Sequence, residues 1–292
     1  MEYRLTTFLA VCEKMNFTRA AEDLHITQPA VSQHIRLLEE EYGTKLFIHE
    51  GKRIHLTPAG KYLCDTVIKM QNDENVLRGK LASFETGKQV FKLGATRTIG
   101  EFSLETKLAS YIKTHPEIEL HFIVDNTENL LRQIDEGSLP CAFVEGFFDL
   151  NQYDFAPFRT ENFLAVCSKD HLFRHKIKTV YDLTDETLLL REPGSGTREI
   201  LEQFLYFQNM RIKNFHNIVQ IDSMHVILKL LEQDAGISFM YQMAAQKRIQ
   251  QNILRSIPLK GLPVQHELSL VWKRGSQYSK EYKNLCQDFS KE

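Results

Sequence analysis

The stretch from Asn16 to Glu40, NFTRAAEDLHITQPAVSQHIRLLEE, constrains the fold more than any other part of the chain. It holds two short helical patterns joined by a turn of about three residues, the spacing of a helix-turn-helix. Thr18 can cap the first pattern, which carries Ala20, Ala21 and Leu24 on its inner side. His25 and Ile26 cross the turn. Thr27 stands at the N-cap of the second pattern, with Pro29 in its first turn, where a missing N–H costs nothing. Val31, Ile35 and Leu38 fall at i, i+4 and i+7, so one face is buried. Gln28, Ser32, Gln33 and Arg36 share another face, polar and compact, with Arg36 its one charge. Small alanines let two such helices approach closely, and the second can then lie in a DNA major groove. A plain helical hairpin has the same local pattern, so the flanks decide.

Before the stretch, Phe8, Val11, Cys12 and Met15 give a helix with an apolar stripe. After it come Gly43, Leu46 and Phe47, then HEGKRIHLTPAG. Two extended runs, Lys45 to His49 and Arg53 to Thr57, surround Glu50-Gly51-Lys52. These read as a two-stranded wing with Lys52 and Arg53 at its tip.

In order and spacing, the first sixty residues resemble the DNA-binding domain of LysR-type transcriptional regulators. The matching residues are Phe8, Val11, Phe17-Thr18-Arg19-Ala20-Ala21, Leu24, Gln28-Pro29-Ala30-Val31-Ser32, Ile35, Leu38-Glu39, Gly43, Leu46-Phe47 and Leu56-Thr57-Pro58-Ala59-Gly60. Thr27, Gln33 and His49 depart from the family's usual serine and arginines. Thr27 caps as serine does; the other two lower the fixed positive charge near DNA. The resemblance implies that Gln28, Pro29, Ser32 and Gln33 face base edges. Thr18, Arg19, Arg36, Lys52 and Arg53 then face phosphate or the minor groove.

Charge alone does not point to DNA. The net charge is -2, and residues 1–61 balance eight Lys/Arg against eight Asp/Glu, so any DNA-facing charge comes from arrangement. The apolar fraction of 42% and charged fraction of 25% suit an ordinary globular protein, and 292 residues suffice for two or three domains. The N-terminus reads as an amphipathic helix rather than a secretory leader, and no apolar run approaches a membrane span. Cys12, Cys64, Cys141, Cys167 and Cys286 are scattered without a CxxC, as expected of reduced thiols in apolar surroundings. A cytoplasmic bacterial protein without a membrane partner, metal or cofactor is expected.

Thr57-Pro58 opens a long helix. Its apolar residues Leu63, Val67, Met70, Leu77, Leu81 and Phe84 step by four, three, seven, four and three, a heptad seam with Glu74 at its one polar position. This helix spans about 40 Å and suits a partner helix. The resembling family carries its dimerising linker helix in the same place, which implies a homodimer, paired further into a homotetramer.

From Val90 strands alternate with helices. The strand candidates are 91–96, 119–124, 141–145, 163–168, 187–191, 217–221, 237–241 and 267–272. The helices are 100–113, 128–136, 198–209, 224–233 and 278–290. Helical crossovers imply mostly parallel sheets covered on both faces. The fold expected is therefore an N-terminal all-α winged helix-turn-helix (1–58), a linker helix (59–89) and an α/β effector domain (90–292). By resemblance that domain has two Rossmann-like lobes of the type 2 periplasmic-binding-protein kind. Lobe I takes 90–161 plus 267–292 and lobe II takes 162–266, with hinges near 160–163 and 264–267.

In parallel α/β lobes, ligands sit beyond the carboxyl ends of strands. Ala95-Thr96-Arg97-Thr98, Asn126-Thr127 and Glu192-Pro193-Gly194-Ser195-Gly196-Thr197-Arg198 occupy such places. Ser, Thr and Asn at helix starts are ordinary caps, yet a plain cap needs no two glycines. The resemblance implies Thr96, Thr98, Asn126, Thr127, Ser195 and Thr197 as effector contacts, with Arg97 beside them. Donors of this kind suit an anionic ligand group; Glu145 and Glu192 could receive an ammonium, so an anion and a zwitterion both stay open. His171 and His175 are four apart but lack a third ligand, and read as a solvated loop. Ser195 lacks the G-x-S-x-G elbow and an assignable His/Asp partner, so no catalytic site is expected. A transcriptional regulator is the function expected. Its partners are operator DNA, a small-molecule effector and RNA polymerase. A solute-binding protein or an enzyme on the same two lobes is the alternative.

Overall fold

The computed structural model describes residues 2–51 and 53–290. Lys52, expected at the wing tip, lies outside the described residues. The first three helices are α1 (Tyr3–Lys14), α2 (Phe17–Asp23) and α3 (Gln28–Tyr42), followed by the wing strands β1 (Phe47–Glu50) and β2 (Arg53–Leu56). Phe8, Val11, Ala20, Val31 and Leu38 are buried together at their junction, so the helical spacing of the apolar residues becomes one small core. Thr27 caps α3 as expected, accepting from the Ala30 N–H. Thr18 does not cap α2. Asn16 does, its carboxamide oxygen accepting from the Thr18 and Arg19 N–H groups at 2.9 and 3.1 Å. Met15 ends α1 in a left-handed conformation, which leaves Asn16 extended at the next helix start and puts Thr18 one residue too far in.

Helix α4 runs from Pro58 to Thr86. Thr57 caps it by accepting from the Gly60 N–H and gives its own proton to the Lys45 carbonyl. Glycine is required at position 60, where a Cβ would lie 2.1 Å from the Leu46 carbonyl oxygen. The heptad seam divides in two. Leu63 and Val67 pack into the winged-helix core, whereas Met70, Leu77, Leu81 and Phe84 stay exposed, Phe84 at 86%. Another face of α4 docks on the following domain. Asn72 and Asn75 donate to the Ile134 and Gly137 carbonyls, and Asp73 accepts from Ser276 and Gln277.

The rest is one mixed sheet. Its strands are β3 (Gln89–Thr96), β4 (Ile118–Asp125), β5 (Cys141–Val144), β6 (Tyr153–Ser168), β7 (Thr187–Leu190), β8 (Asn217–Gln220), β9 (Ile237–Tyr241), β10 (Leu254–Ile257) and β11 (Val264–Lys273). The order is β4-β3-β5-β11-β6-β9-β7-β8, with β10 beside β6. Helices α5 (Arg97–Phe102), α6 (Glu105–Thr114), α7 (Thr127–Asp135), α8 (Gly196–Phe207), α9 (Met224–Glu232), α10 (Gln242–Gln250) and α11 (Ser279–Ser290) complete it. Each outer part is parallel, β4-β3-β5 on one side and β9-β7-β8 on the other. The centre is antiparallel, because β6 and β11 carry the chain across and back and pair along ten positions of β11. That corrects the expectation of mostly parallel sheets.

Strand β6 is also longer than the expected 163–168. Its first half alternates buried Tyr153, Ala156 and Phe158 with outward residues that include Pro157, a weak strand signal. The expected helix 100–113 is two helices, broken near Leu104, which is fully buried. Strand β10 and helix α10 were not expected. The run QMAAQKRIQ of α10 is mostly polar and buries only Met243, Ala244 and Ala245.

Candidate functional site

The first candidate surface is α3. Gln28, Pro29, Gln33 and Arg36 are exposed on it, while Val31, Ile35 and Leu38 hold the opposite face in the core. Gln28 Nε2 donates to Ser32 Oγ at 2.9 Å, one turn away, so these two polar side chains form a pair. Gln28, Ser32 and Arg36 line one side of a cleft of about 640 Å³, and His49 and Gly51 of the wing line the other. Thr18, Arg19, Pro29, Gln33 and Arg53 lie outside that lining. Arg36 pairs with Glu40 at 3.4 Å, both exposed. Arg19 and Arg53 are exposed. His34 is held by Thr7 Oγ1 and the Tyr3 ring, while His49 stacks on Phe17.

Glu39, one of the family-matching residues, has a structural role that its local sequence does not signal. Its carboxylate accepts from the Leu46 and Phe47 N–H groups and pairs with Lys45 at 2.6 Å, so it ties the wing to α3. Burial opposes its charge, but the Lys45 ammonium and the two N–H groups outweigh that and hold its carboxyl below the usual range.

The second candidate surface lies where the two halves of the sheet meet. Thr98 at the start of α5 and Thr197 at the start of α8 both donate to Glu145 Oε1, at 3.0 and 2.7 Å. Thr127 Oγ1 donates to the Glu145 carbonyl oxygen at 2.8 Å. The Glu128 N–H reaches the Gly194 carbonyl across the same junction. All of these residues except Glu128 and Gly194 are buried. Thr96 and Ser195 stand at helix N-cap positions but cap nothing, and their hydroxyls have no hydrogen-bond partner among the described residues. Asn126 is a cap, accepting from the Asn129 N–H, and makes no bond to the cluster. The two glycines of GSGT are explained by close approach. A Cβ at Gly194 would lie 2.4 Å from Glu128 Oε2, and one at Gly196 would lie 2.3 Å from the Glu145 carbonyl oxygen.

Arginines complete the cluster. Arg97 donates to the Asp222 carbonyl and stands within 4 Å of Asp125 and Glu192. Arg191 makes a two-point pair with Glu192, through Nε at 2.7 Å and Nη2 at 2.9 Å, with both side chains buried. Glu145 is the centre. Burial drives its carboxyl above the usual range, against the pull of Thr197, Arg191 and Thr98. The residue stood out in the sequence only as a glutamate at a strand end; its position between two threonines ninety-nine residues apart carries no local signal.

His171 corrects another expectation. It is not a solvated loop side chain: Glu186 and Asp234 flank its ring, which is about one-tenth exposed. Among the described residues no group of three or more His, Cys, Asp or Glu side chains could hold a metal, and the five cysteines are free. No helix is long and apolar enough to cross a membrane, among the described residues.

Residues 3–61 match the family model "Bacterial regulatory helix-turn-helix protein, lysR family", and residues 85–289 match "LysR substrate binding domain". The transcriptional regulator CysL of Bacillus subtilis is 34% identical over 216 residues, 73% of this chain and 72% of that protein. The regulator CbbR of Rhodospirillum rubrum is 29% identical, over 93% of this chain and 90% of its own. The full-length regulator LysG of Corynebacterium glutamicum superposes with a TM-score of 0.64 at 14% identity, covering 99% of this chain and 98% of that one. The last likeness concerns the fold.

Proposed function

Because the chain belongs to the LysR family of transcriptional regulators, a non-enzymatic DNA-binding family with an effector-binding domain, we propose how its parts divide the work. Helix α3 enters the major groove, with Gln28, Pro29, Ser32 and Gln33 against base edges. Thr18, Arg19, Arg36, Lys52 and Arg53 hold the phosphates or reach the minor groove. Residues 1–58 are the DNA-binding unit, 59–89 the dimerising helix and 90–292 the sensor. The sensor's lobes, 90–161 with 267–292 and 162–266, move about hinges near 160–163 and 264–267. The exposed stripe of Met70, Leu77, Leu81 and Phe84 supports a homodimer, and two dimers form a homotetramer. A small anionic or zwitterionic effector binds between the lobes against Thr96, Arg97, Thr98, Asn126, Thr127, Ser195 and Thr197. It respaces the DNA-binding units and so changes their dealings with RNA polymerase in the cytoplasm.

The observation that carries this reading is the polar, uncovered face of α3 on a helix whose other face is fully buried. Selection of bound duplexes from a randomised library by the full chain tests it. The expected result is a recurrent two-fold site about one or more helical turns long. Uniform recovery of all sequences would remove the base-reading role. Recovery of monomeric protein on single half-sites would remove the dimer.

A further inference from the structure

Four side chains in the interlobe cluster are almost fully buried yet keep a polar atom without a hydrogen-bond partner: Thr96 Oγ1, Glu145 Oε2, Arg191 Nη1 and Ser195 Oγ. Their exposures are 1, 2, 3 and 2%. Buried polar groups are normally satisfied and an orphan is costly, so four in one cluster point to a partner molecule. The set has both signs. Glu145 spends Oε1 on two threonines and keeps Oε2. Arg191 spends Nε and Nη2 on Glu192 and keeps Nη1.

Resting on the effector reading above, we propose that the interlobe cluster recognises a zwitterion of the α-amino-acid class, its ammonium on Glu145 and its carboxylate on Arg191 with the Ser195 hydroxyl. A simple anion answers Arg191 and the hydroxyls but leaves a carboxylate facing it. A simple cation answers Glu145 and leaves the guanidinium N–H bare. A molecule that carries both charges answers both. Glu145 is then the residue that separates amino acids from their hydroxy-acid and N-acylated counterparts.

The test uses the full chain in thermal-shift and calorimetric titrations. The probes are the twenty standard amino acids, their N-acetyl forms, their α-hydroxy-acid counterparts and their decarboxylated amines. At least one amino acid is expected to raise Tm by about 3 °C at ten times its Kd. Its N-acetyl, hydroxy-acid and amine counterparts should bind at least tenfold more weakly. Glu145→Gln, checked for folding by circular dichroism, should lose at least tenfold affinity for the amino acid. Equal or tighter binding of a hydroxy acid or N-acetyl form overturns the zwitterion while leaving an effector cleft in place. Unchanged affinity in Glu145→Gln overturns the ammonium contact. Absence of binding by every amino acid overturns the proposal, and if the hydroxy acids and acetate also fail, the effector reading goes with it. The ligand arms use the wild-type chain, so they stand even if the variant does not fold.

Discussion

The hydroxyls of Thr98 and Thr197 lie 3.2 Å apart, although ninety-nine residues separate them, and a single carboxylate oxygen of Glu145 accepts from both. Each therefore stabilises the contact between lobes before any ligand arrives. Thr98→Val and Thr197→Val should each destabilise the chain by about 1–3 kcal/mol, since valine keeps the shape and strips a donor from a buried acceptor. The double variant should cost more than the sum, because the two share a partner and only their joint loss leaves Glu145 Oε1 without a donor. Urea unfolding curves measure both. Full additivity would mean that the two threonines do not act on one group.

Glu145 makes stability depend on pH. Its carboxyl is raised above the ordinary value of 4.5 by burial. Between the unfolded and folded values the folded chain binds more protons, so stability falls as pH rises through that window. Glutamine at 145 removes the titrating proton. The difference in Tm between wild type and Glu145→Gln should thus change across that window and be flat below it. A difference that does not change with pH across that window counts against a carboxyl raised by burial.

Glu39 has the opposite sign. Its carboxyl lies below the usual 4.5 because Lys45 and two wing N–H groups outweigh its burial. Its contribution is complete above the unfolded value and is lost as pH falls through the folded one. Glu39→Gln should loosen the wing at neutral pH, seen as faster amide exchange at Leu46 and Phe47. Acid should erase the gap between variant and wild type. Equal exchange at pH 7 would mean that Glu39 does not hold the wing.

Gln28 and Ser32 touch each other, so their roles in DNA reading are coupled. Gln28→Ala and Ser32→Ala should relax base preference by about 1–3 kcal/mol for a lost base contact. Arg53→Ala should weaken all sequences alike and lower the salt slope by about one unit. Binding to a randomised site library at several salt concentrations separates the two effects. Wild-type discrimination in both alanine variants would put the reading helix elsewhere.

The divided seam of α4 gives a contrast within one helix. Leu77 is exposed, so Leu77→Asp should abolish the dimer and leave a folded monomer. Leu63 packs in the winged-helix core, so Leu63→Asp should unfold that unit instead. Light scattering with circular dichroism distinguishes dissociation from unfolding. An intact dimer in Leu77→Asp transfers the exposed stripe to another purpose.

What could be read in advance followed from local pattern. Val31, Ile35 and Leu38 at helical spacing, Thr27 and Thr57 as caps and the apolar runs of β5 and β9 all act within a few residues of themselves. Other features depend on distant partners. The heptad of α4 is uniform in sequence, but Leu63 and Val67 meet α1, and Asn72 meets the end of α7. The first half of β6 looks like loop until β11 pairs with it. Thr18 and Asn16 are both good caps, and the left-handed Met15 decides between them. The same holds for the candidate sensor: its threonines show in the sequence as helix starts and Glu145 as a strand end, whereas nothing local says that the glutamate gathers them.

The docking of α4 gives the molecule a lever. Asn72 and Asn75 clamp the helix to the carbonyls at the end of α7, which ties the shaft to the effector domain at that point. From Asn72 back to Pro58 the shaft is about 21 Å long at 1.5 Å per residue. A tilt of about 3° at the clamp therefore sweeps the winged helix through roughly 1 Å, and two such shafts, splayed from a shared seam, double the change in span. If the sensor's lobes hinge and two shafts pair as proposed, a small movement at the sensor end would be geared up into a shift in the pitch between two reading heads, which a duplex of fixed helical repeat would register as fit or misfit.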